Sequence, residues 1–210
     1  MIAELGRDNR PADDGLRARF TEVFKFNHWR DPESASGPGS RQDSHCVKAA
    51  LEALRFVTQE YGIASINDIP CGDFNWIHNF LNEFPGIYYR GFDIVEPLIE
   101  RNQQSFAPFE FSLLDITSDI PPKADFIFCK DLVNHLTNGD VVRAIENMKA
   151  SHSTYLLATN NFGFENVELS ENSGGASRHL DLTAAPFNYP APIWHTDYLA
   201  LWRLSDMVAH

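Results

Sequence analysis

Basic side chains are scarce in this chain: 17 Lys and Arg against 29 Asp and Glu give a formal net charge of −12 over 210 residues. Affinity for a phosphate backbone comes mostly from clustered Lys and Arg, so this scarcity argues against a nucleic-acid partner and favours small or neutral ligands. Cysteine is scarce too. Cys46, Cys71 and Cys129 are an odd number without paired spacing, which speaks against a disulfide framework and a zinc knuckle and leaves free thiols. No apolar run approaches the roughly 20 residues of a membrane span. The stretch from Met1 to Asp14 is polar and has no apolar centre of the kind a signal peptide needs, so a cytoplasmic protein without a membrane partner is expected. The histidines show no His-x-x-x-His or His/carboxylate spacing suited to ligation, so no metal is expected.

What is present describes one folded domain. The chain is 43% hydrophobic, and a chain of this length buries about 70% of its unfolded surface, enough for a core without staples. Residues 1–15 lack periodicity and are expected to fray, with a single domain over 16–210. From Asp31 to Ser40 the chain is rich in Ser, Gly and Pro, a linker composition. It ends, however, in Ser40-Arg41-Gln42-Asp43, which reads as a variant capping box opening a helix. That helix places Val47, Ala50, Leu51, Leu54, Val57 and Tyr61 on one face.

Short apolar runs then alternate with helical segments. Ile66–Pro70, Tyr88–Ile94, Phe109–Leu113, Ala124–Cys129 and Thr154–Thr159 read as strands. Between them lie a helix with Ile77, Phe80, Leu81 and Phe84 inward, one opening at Pro97, and one capped by Thr137 with Val141, Val142, Ile145 and Met148 inward. Such alternation implies a parallel sheet covered on both faces. The expected fold class is α/β: a Rossmann-like, doubly wound, mostly parallel sheet of about seven strands, with Tyr198–Leu204 as an antiparallel C-terminal edge strand. Residues 160–183 are polar and carry Gly174-Gly175, so a loop or lid replaces the next helix.

Ligands of open α/β sheets sit beyond the carboxyl ends of the strands. After the first strand comes Asp68-Ile69-Pro70-Cys71-Gly72-Asp73-Phe74-Asn75-Trp76, where Gly72 lets backbone approach a ligand. Asp93, followed by Ile94, stands 21 positions beyond Gly72, about the interval at which such folds set a carboxylate on a ribose. Asp115 and Ile116 follow the third strand, suited to accept from an adenine amino group and cover its ring. A dinucleotide would want the full G-x-G-x-x-G, and acids flanking the turn repel phosphate. S-adenosylmethionine has no phosphate and carries a cationic sulfonium, which suits an acidic turn.

This pattern resembles the class I S-adenosylmethionine-dependent methyltransferases over residues 34–159, with Phe74 where the family's first turn usually has its second glycine. It is more closely similar to a poorly characterised bacterial branch that combines E-S-x-S-G-x-G-S, D-I-P-C-G-D-F-N-W and K/R-D-x-x-x-H-L. These stand here as Glu33–Ser40, Asp68–Trp76 and Lys130–Leu136. The resemblance implies S-adenosylmethionine as cofactor, bound by Ser40, Arg41, Asp68, Pro70, Gly72, Asp73, Trp76, Asp93, Ile94, Asp115, Ile116 and Lys130. It also implies O-methylation of a glycan, sugar or small hydroxylated metabolite. Two alternatives stay open: a cofactor-binding protein without turnover, and a methyltransferase acting on a macromolecule. The acceptor's identity and the oligomeric state also stay open.

His135 is the candidate base, because imidazole is the side chain best poised near neutral pH to take a proton from an acceptor. Asp131, four residues earlier, falls on the same face of a helical turn and is expected to orient the ring. Trp29, Asn160 and Arg178 are the candidate acceptor contacts. In the Gly/Ser segment, backbone N–H groups and Arg41 are expected to meet the methionine carboxylate. Bulkier residues at Gly37 and Gly39 are expected to weaken cofactor binding with little effect on thermal stability.

Overall fold

The computed structural model describes residues 14–169 and 175–208. The tail expected to fray lies, through residue 13, outside the described residues; the chain is already helical at Asp14. Helix α1 spans Asp14–Lys25, α2 His45–Tyr61, α3 Ile77–Glu83, α4 Glu96–Ser105 and α5 Asn138–Ala150. The strands are β1 Ser65–Asp68, β2 Tyr88–Asp93, β3 Glu110–Leu113, β4 Phe126–Cys129, β5 Tyr155–Thr159, β6 Trp194–His195 and β7 Leu199–Arg203. They form one sheet in the order β3-β2-β1-β4-β5-β7-β6. Strands β1 to β5 pair in parallel. β7 runs antiparallel to β5, with only the two residues of β6 beyond it at that edge. This is the doubly wound sheet that the alternation of runs implied, and its order reverses between β1 and β4. The reversal opens a crevice at their carboxyl ends.

Period-two alternation sends successive strand residues to two separate cores. Ile127, Cys129, Leu156 and Ala158 pack with Val141, Ile145 and Met148 of α5. Phe126, Phe128 and Leu157 pack with Val47 and Leu54 of α2 and Ile77 and Phe80 of α3. Each large apolar side chain removed from water contributes about 1.5–3 kcal/mol, so both faces of the sheet are firmly held. No helix among the described residues is long and apolar enough to cross a membrane.

One local expectation changes. The cap of α2 is Ser44, whose Oγ accepts from Val47 N at 3.0 Å. Ser40 instead ends a 3-10 turn over Pro38–Ser40, after which Arg41 is extended at φ −68°, ψ 142° and breaks the path to a helix. The cap of α5 does stand at Thr137, which accepts from Asp140 N and donates to Asp140 Oδ2 at 2.7 Å. The Ser/Gly/Pro stretch is no linker. Asp31 Oδ1 accepts from Glu33 N and Ser34 N, Ala35 N donates to Asp73 Oδ2 at 2.7 Å, and Ser36 Oγ accepts from Asp73 N at 2.9 Å. Asn75 Nδ2 donates to the Ser40 carbonyl. The stretch is thereby strapped over the turn that follows β1.

Candidate functional site

The turn from β1 into α3 is built around Gly72, at φ +54°, where a Cβ would lie 2.4 Å from Ser36 Oγ. Only glycine fits both the left-handed conformation and the strap above it. Phe74 is also left-handed at φ +58°, unusual for a bulky residue. Its ring leaves the crevice and packs among Tyr89, Phe106, Phe109 and Phe111 at centroid distances of 5.4, 4.9, 5.1 and 5.1 Å. The missing second glycine is thus replaced by a core anchor, and the cleft is left clear.

One cleft opens at the switch point. Ser40, Asp68, Pro70, Gly72, Asp73, Trp76, Asp93, Ile94, Asp115, Ile116 and Lys130 all line it, as do Asp131, His135 and Trp29. Sequence reasoning missed its far wall, formed by Leu16, Phe20 and Phe24 of α1. Their spacing of four was the available signal: it places all three on one helical face.

The acids at the ends of β1 and β2 are held by neutral groups. Asp68 Oδ2 accepts from Tyr89 OH at 2.7 Å, and burial pushes its carboxyl up to about 8 despite that bond. Asp93 accepts from Gly72 N at 3.2 Å and Val95 N at 3.0 Å. Burial outweighs these N–H groups and raises it to about 6. Asp115 Oδ1 accepts from both the backbone N and the hydroxyl of Thr117, an Asx turn that uses one of its two oxygens.

Beyond β4 the charges pair with one another. Lys130 Nζ donates to Asp131 Oδ2 at 2.6 Å and to the Gly39 carbonyl at 3.1 Å, tying the strap down. Asp131 Oδ1 accepts short hydrogen bonding from Tyr198 OH. Burial alone raises the Asp131 carboxyl, but the Lys130 ammonium outweighs it and holds the group below the usual carboxylate range.

This arrangement corrects the expected Asp131–His135 partnership. Residues 133–135 form a 3-10 turn, and Asp131 is left-handed at φ +56°, so four positions do not bring the two onto one helical face. The ring of His135 is oriented instead by the Ala176 carbonyl, 2.9 Å from Nδ1. A carbonyl only accepts, so in the neutral ring Nδ1 carries the hydrogen. Burial lowers the imidazole below its ordinary value, which keeps it neutral. Trp29 completes the wall, its ring 5.7 Å from that of His135 and its Nε1 donating to Gly175 O at 3.2 Å.

Three further expectations are corrected. Arg41 does not line the cleft: its half-exposed side chain faces outward onto Asp43 at 3.3 Å and Glu33 at 3.9 Å. Asn160 is fully buried and acts as internal bracing, accepting from Leu182 N at 2.7 Å and donating to Asp181 Oδ1 at 3.2 Å. Gly37 is not freely replaceable, since it sits at φ +89° with a Cβ position 3.2 Å from Trp29. Arg178 lies apart from the cleft and lines a second cavity beside it. The described parts of the 160–183 stretch carry no helix, and Leu180 and Leu182 anchor them in the core.

No family model and no curated protein matches the chain. Solved structures do. Human N-acetylserotonin methyltransferase in complex with SAM superposes with a TM-score of 0.62 at 14% identity, over 96% of this chain and 64% of its own. Magnesium protoporphyrin IX methyltransferase from Synechocystis PCC 6803 with bound SAH gives 0.55 at 13% identity, over 89% of this chain and 95% of its own. TnmH gives 0.54 at 10% identity, over 75% and 57%. The chain therefore spans less than two thirds of the human enzyme's length and nearly all of the Synechocystis one. At these identities the likeness shows the architecture: the chain has the Rossmann-like methyltransferase fold.

Proposed function

We propose that this protein is an S-adenosylmethionine-dependent methyltransferase that O-methylates a sugar or other small hydroxylated acceptor. The observation that carries the reading is the charge pattern of the cleft. Asp68, Asp93 and Asp115 stand at three successive strand ends without a cationic partner within hydrogen-bond reach. The only Lys or Arg lining the cleft among the described residues, Lys130, is engaged by Asp131 and Gly39. Such a site repels pyrophosphate and suits a nucleoside that bears positive charge. The SAM bound to the human enzyme and the SAH bound to the Synechocystis one agree with that choice of ligand.

The donor set fits the cofactor. Asp93 accepts from the two ribose hydroxyls, while Asp115 accepts from the adenine amino group and Ile94, Ile116 and Leu98 cover the ring. Gly72, Asp68, Pro70, Asp73, Trp76, Ser40 and Lys130 hold the methionine end. When bound, the cofactor supplies an electrophilic methyl group on a sulfonium sulfur. His135 takes the acceptor's hydroxyl proton at Nε2, the nitrogen that carries no hydrogen in the neutral ring. α1 and the strap both wall the cleft, which supports a small acceptor over a polymer.

Titration calorimetry with S-adenosylmethionine and with NAD tests the reading. Micromolar binding of the first and none of the second is the expected result; preference for NAD overturns it.

A further inference from the structure

Nothing in Gly72 itself holds its left-handed turn, because glycine takes positive and negative φ about equally well. Its neighbours hold it. The peptide before its Cα is fixed by the Gly72 N–H, which donates to Asp93 Oδ2 at 3.2 Å. The peptide after it is fixed at both ends: the Asp73 N–H donates to Ser36 Oγ at 2.9 Å, and the Gly72 carbonyl accepts from Asn102 Nδ2 at 2.8 Å. The other donor to that carbonyl among the described residues, Cys71 Sγ, stands at 3.6 Å, and a thiol donates weakly.

Asn102 shares the buried face of α4 with Leu98 and Ile99, is itself fully buried, and does not line the cleft. Its Oδ1 is buried without a hydrogen-bond partner, and besides the Gly72 carbonyl its amide has only a long contact to Cys71 Sγ at 3.9 Å. A carbonyl oxygen left dry is unfavourable, and an apolar side chain of similar size would fill the place without one. What an asparagine does there that a leucine does not is hold the Gly72 carbonyl. We propose that Asn102 is a positioning residue for the cofactor site: by holding that carbonyl it keeps the turn left-handed, so that the Gly72 N–H stays on Asp93 and the carboxylate stays aimed at the ligand. Without the amide the turn swings, the N–H leaves Asp93, and the carboxyl loses one of the groups that favour its ionised form. This inference rests on the methyltransferase reading above, in which Asp93 meets the ribose, and gives that site a support from outside the cleft.

The titratable groups that bear on Asp93 are Asp68 from β1, Cys71 and Asp73 from the turn and Tyr89 from β2. Asp115, Lys130, Asp131 and His135 line the same cleft, and the charged residues of α4, Glu96, Glu100 and Arg101, are exposed. An uncharged substitution at Asn102 alters none of these charges. The test is titration calorimetry with S-adenosylmethionine from pH 5 to pH 8 on the native protein, Asn102→Leu and Asn102→Ala, together with carbon NMR of the Asp93 carboxyl in the same proteins without ligand. Asn102→Leu is expected to weaken binding about ten-fold at pH 7, the worth of one hydrogen bond to a charged group. The midpoint of the affinity profile should move upward from about 6, and the carboxyl's own titration should move with it. Asn102→Ala removes the same amide with less bulk and should do the same, which keeps the question answerable if the leucine does not fit. Variants that melt lower yet keep the native affinity and midpoint, or two variants that both fail to fold, would show a brace of the fold alone and overturn the proposal. Failure of S-adenosylmethionine to bind the native protein overturns the methyltransferase reading instead, while the carboxyl titration without ligand still reads whether Asn102 holds the turn.

Discussion

At the ends of β1 and β2, Asp68 and Asp93 are held by a tyrosine hydroxyl and two backbone N–H groups, and burial pushes them up to about 8 and about 6. At the end of β4, Asp131 is less enclosed, with its side chain 29% exposed, and it falls below the usual carboxylate range because Lys130 and the Tyr198 hydroxyl lie against it. Three aspartates at successive positions of one sheet edge therefore differ in what they have left to offer. The β1–β2 side keeps Asp93 ionised at neutral pH and without a cation for an incoming ligand, while Asp68, at about 8, holds its proton. The β4 side has closed the Lys130–Asp131 ion pair among its own residues and presents the His135 imidazole to the cleft. The difference teaches that one sheet edge offers two kinds of surface, a carboxylate held without a cation on one side and a closed ion pair on the other.

The sharpest way to break that contrast is at His135. If it is the base, His135→Ala should lower turnover by about 10²–10⁴-fold, the usual worth of a positioned proton acceptor, with cofactor affinity unchanged. Initial rates and calorimetry on the same sample read the two quantities. The acid limb of the native pH–rate profile should lie below the ordinary histidine value, since burial lowers the group and a neutral ring is the active form.

Asp93 sharpens the other half. Asp93→Ala should weaken S-adenosylmethionine binding by roughly 10–100-fold, the loss of one or two hydrogen bonds to a charged group. With the native protein, affinity should rise from pH 5 to pH 7. The carboxyl titrates near 6 and is protonated below that, and a cationic ligand favours the ionised form. A flat profile between those limits would contradict the assignment.

Asn160 tests the boundary of the site and has the smallest functional effect. Asn160→Ala removes a buried amide that braces Leu182 and Asp181, so stability should fall by about 1–3 kcal/mol with KM for either ligand unchanged. Thermal melting and kinetics separate the two. A raised KM would return Asn160 to the acceptor contacts.

Much of this was legible before any coordinates. Strand and helix positions came through because apolar periodicity is a local property: β2 to β5 and β7 lie inside the runs that suggested them, and β1 begins one residue before its run. The acids at strand ends were legible for the same reason, since strand length sets where each carboxylate emerges. Arg41 was not. Its neighbours in the chain, Glu33 and Asp43, capture it on the outer surface, and nothing in the spacing distinguishes that from a turn inward. The Asp131–His135 pairing failed because an α-helical spacing was assumed where a left-handed residue and a 3-10 turn stand.

The order of apolar and polar residues along the chain determined the layers, the parallel sheet and the crevice at its reversal, because burial of a face with period two or 3.6 is decided residue by residue. Only the tertiary structure decided which partner each polar side chain takes. The strap over Gly72, the Ala176 carbonyl behind His135 and the lysine against Asp131 come from segments that meet in space, and a hydrogen bond a few ångströms long depends on that meeting rather than on distance along the chain.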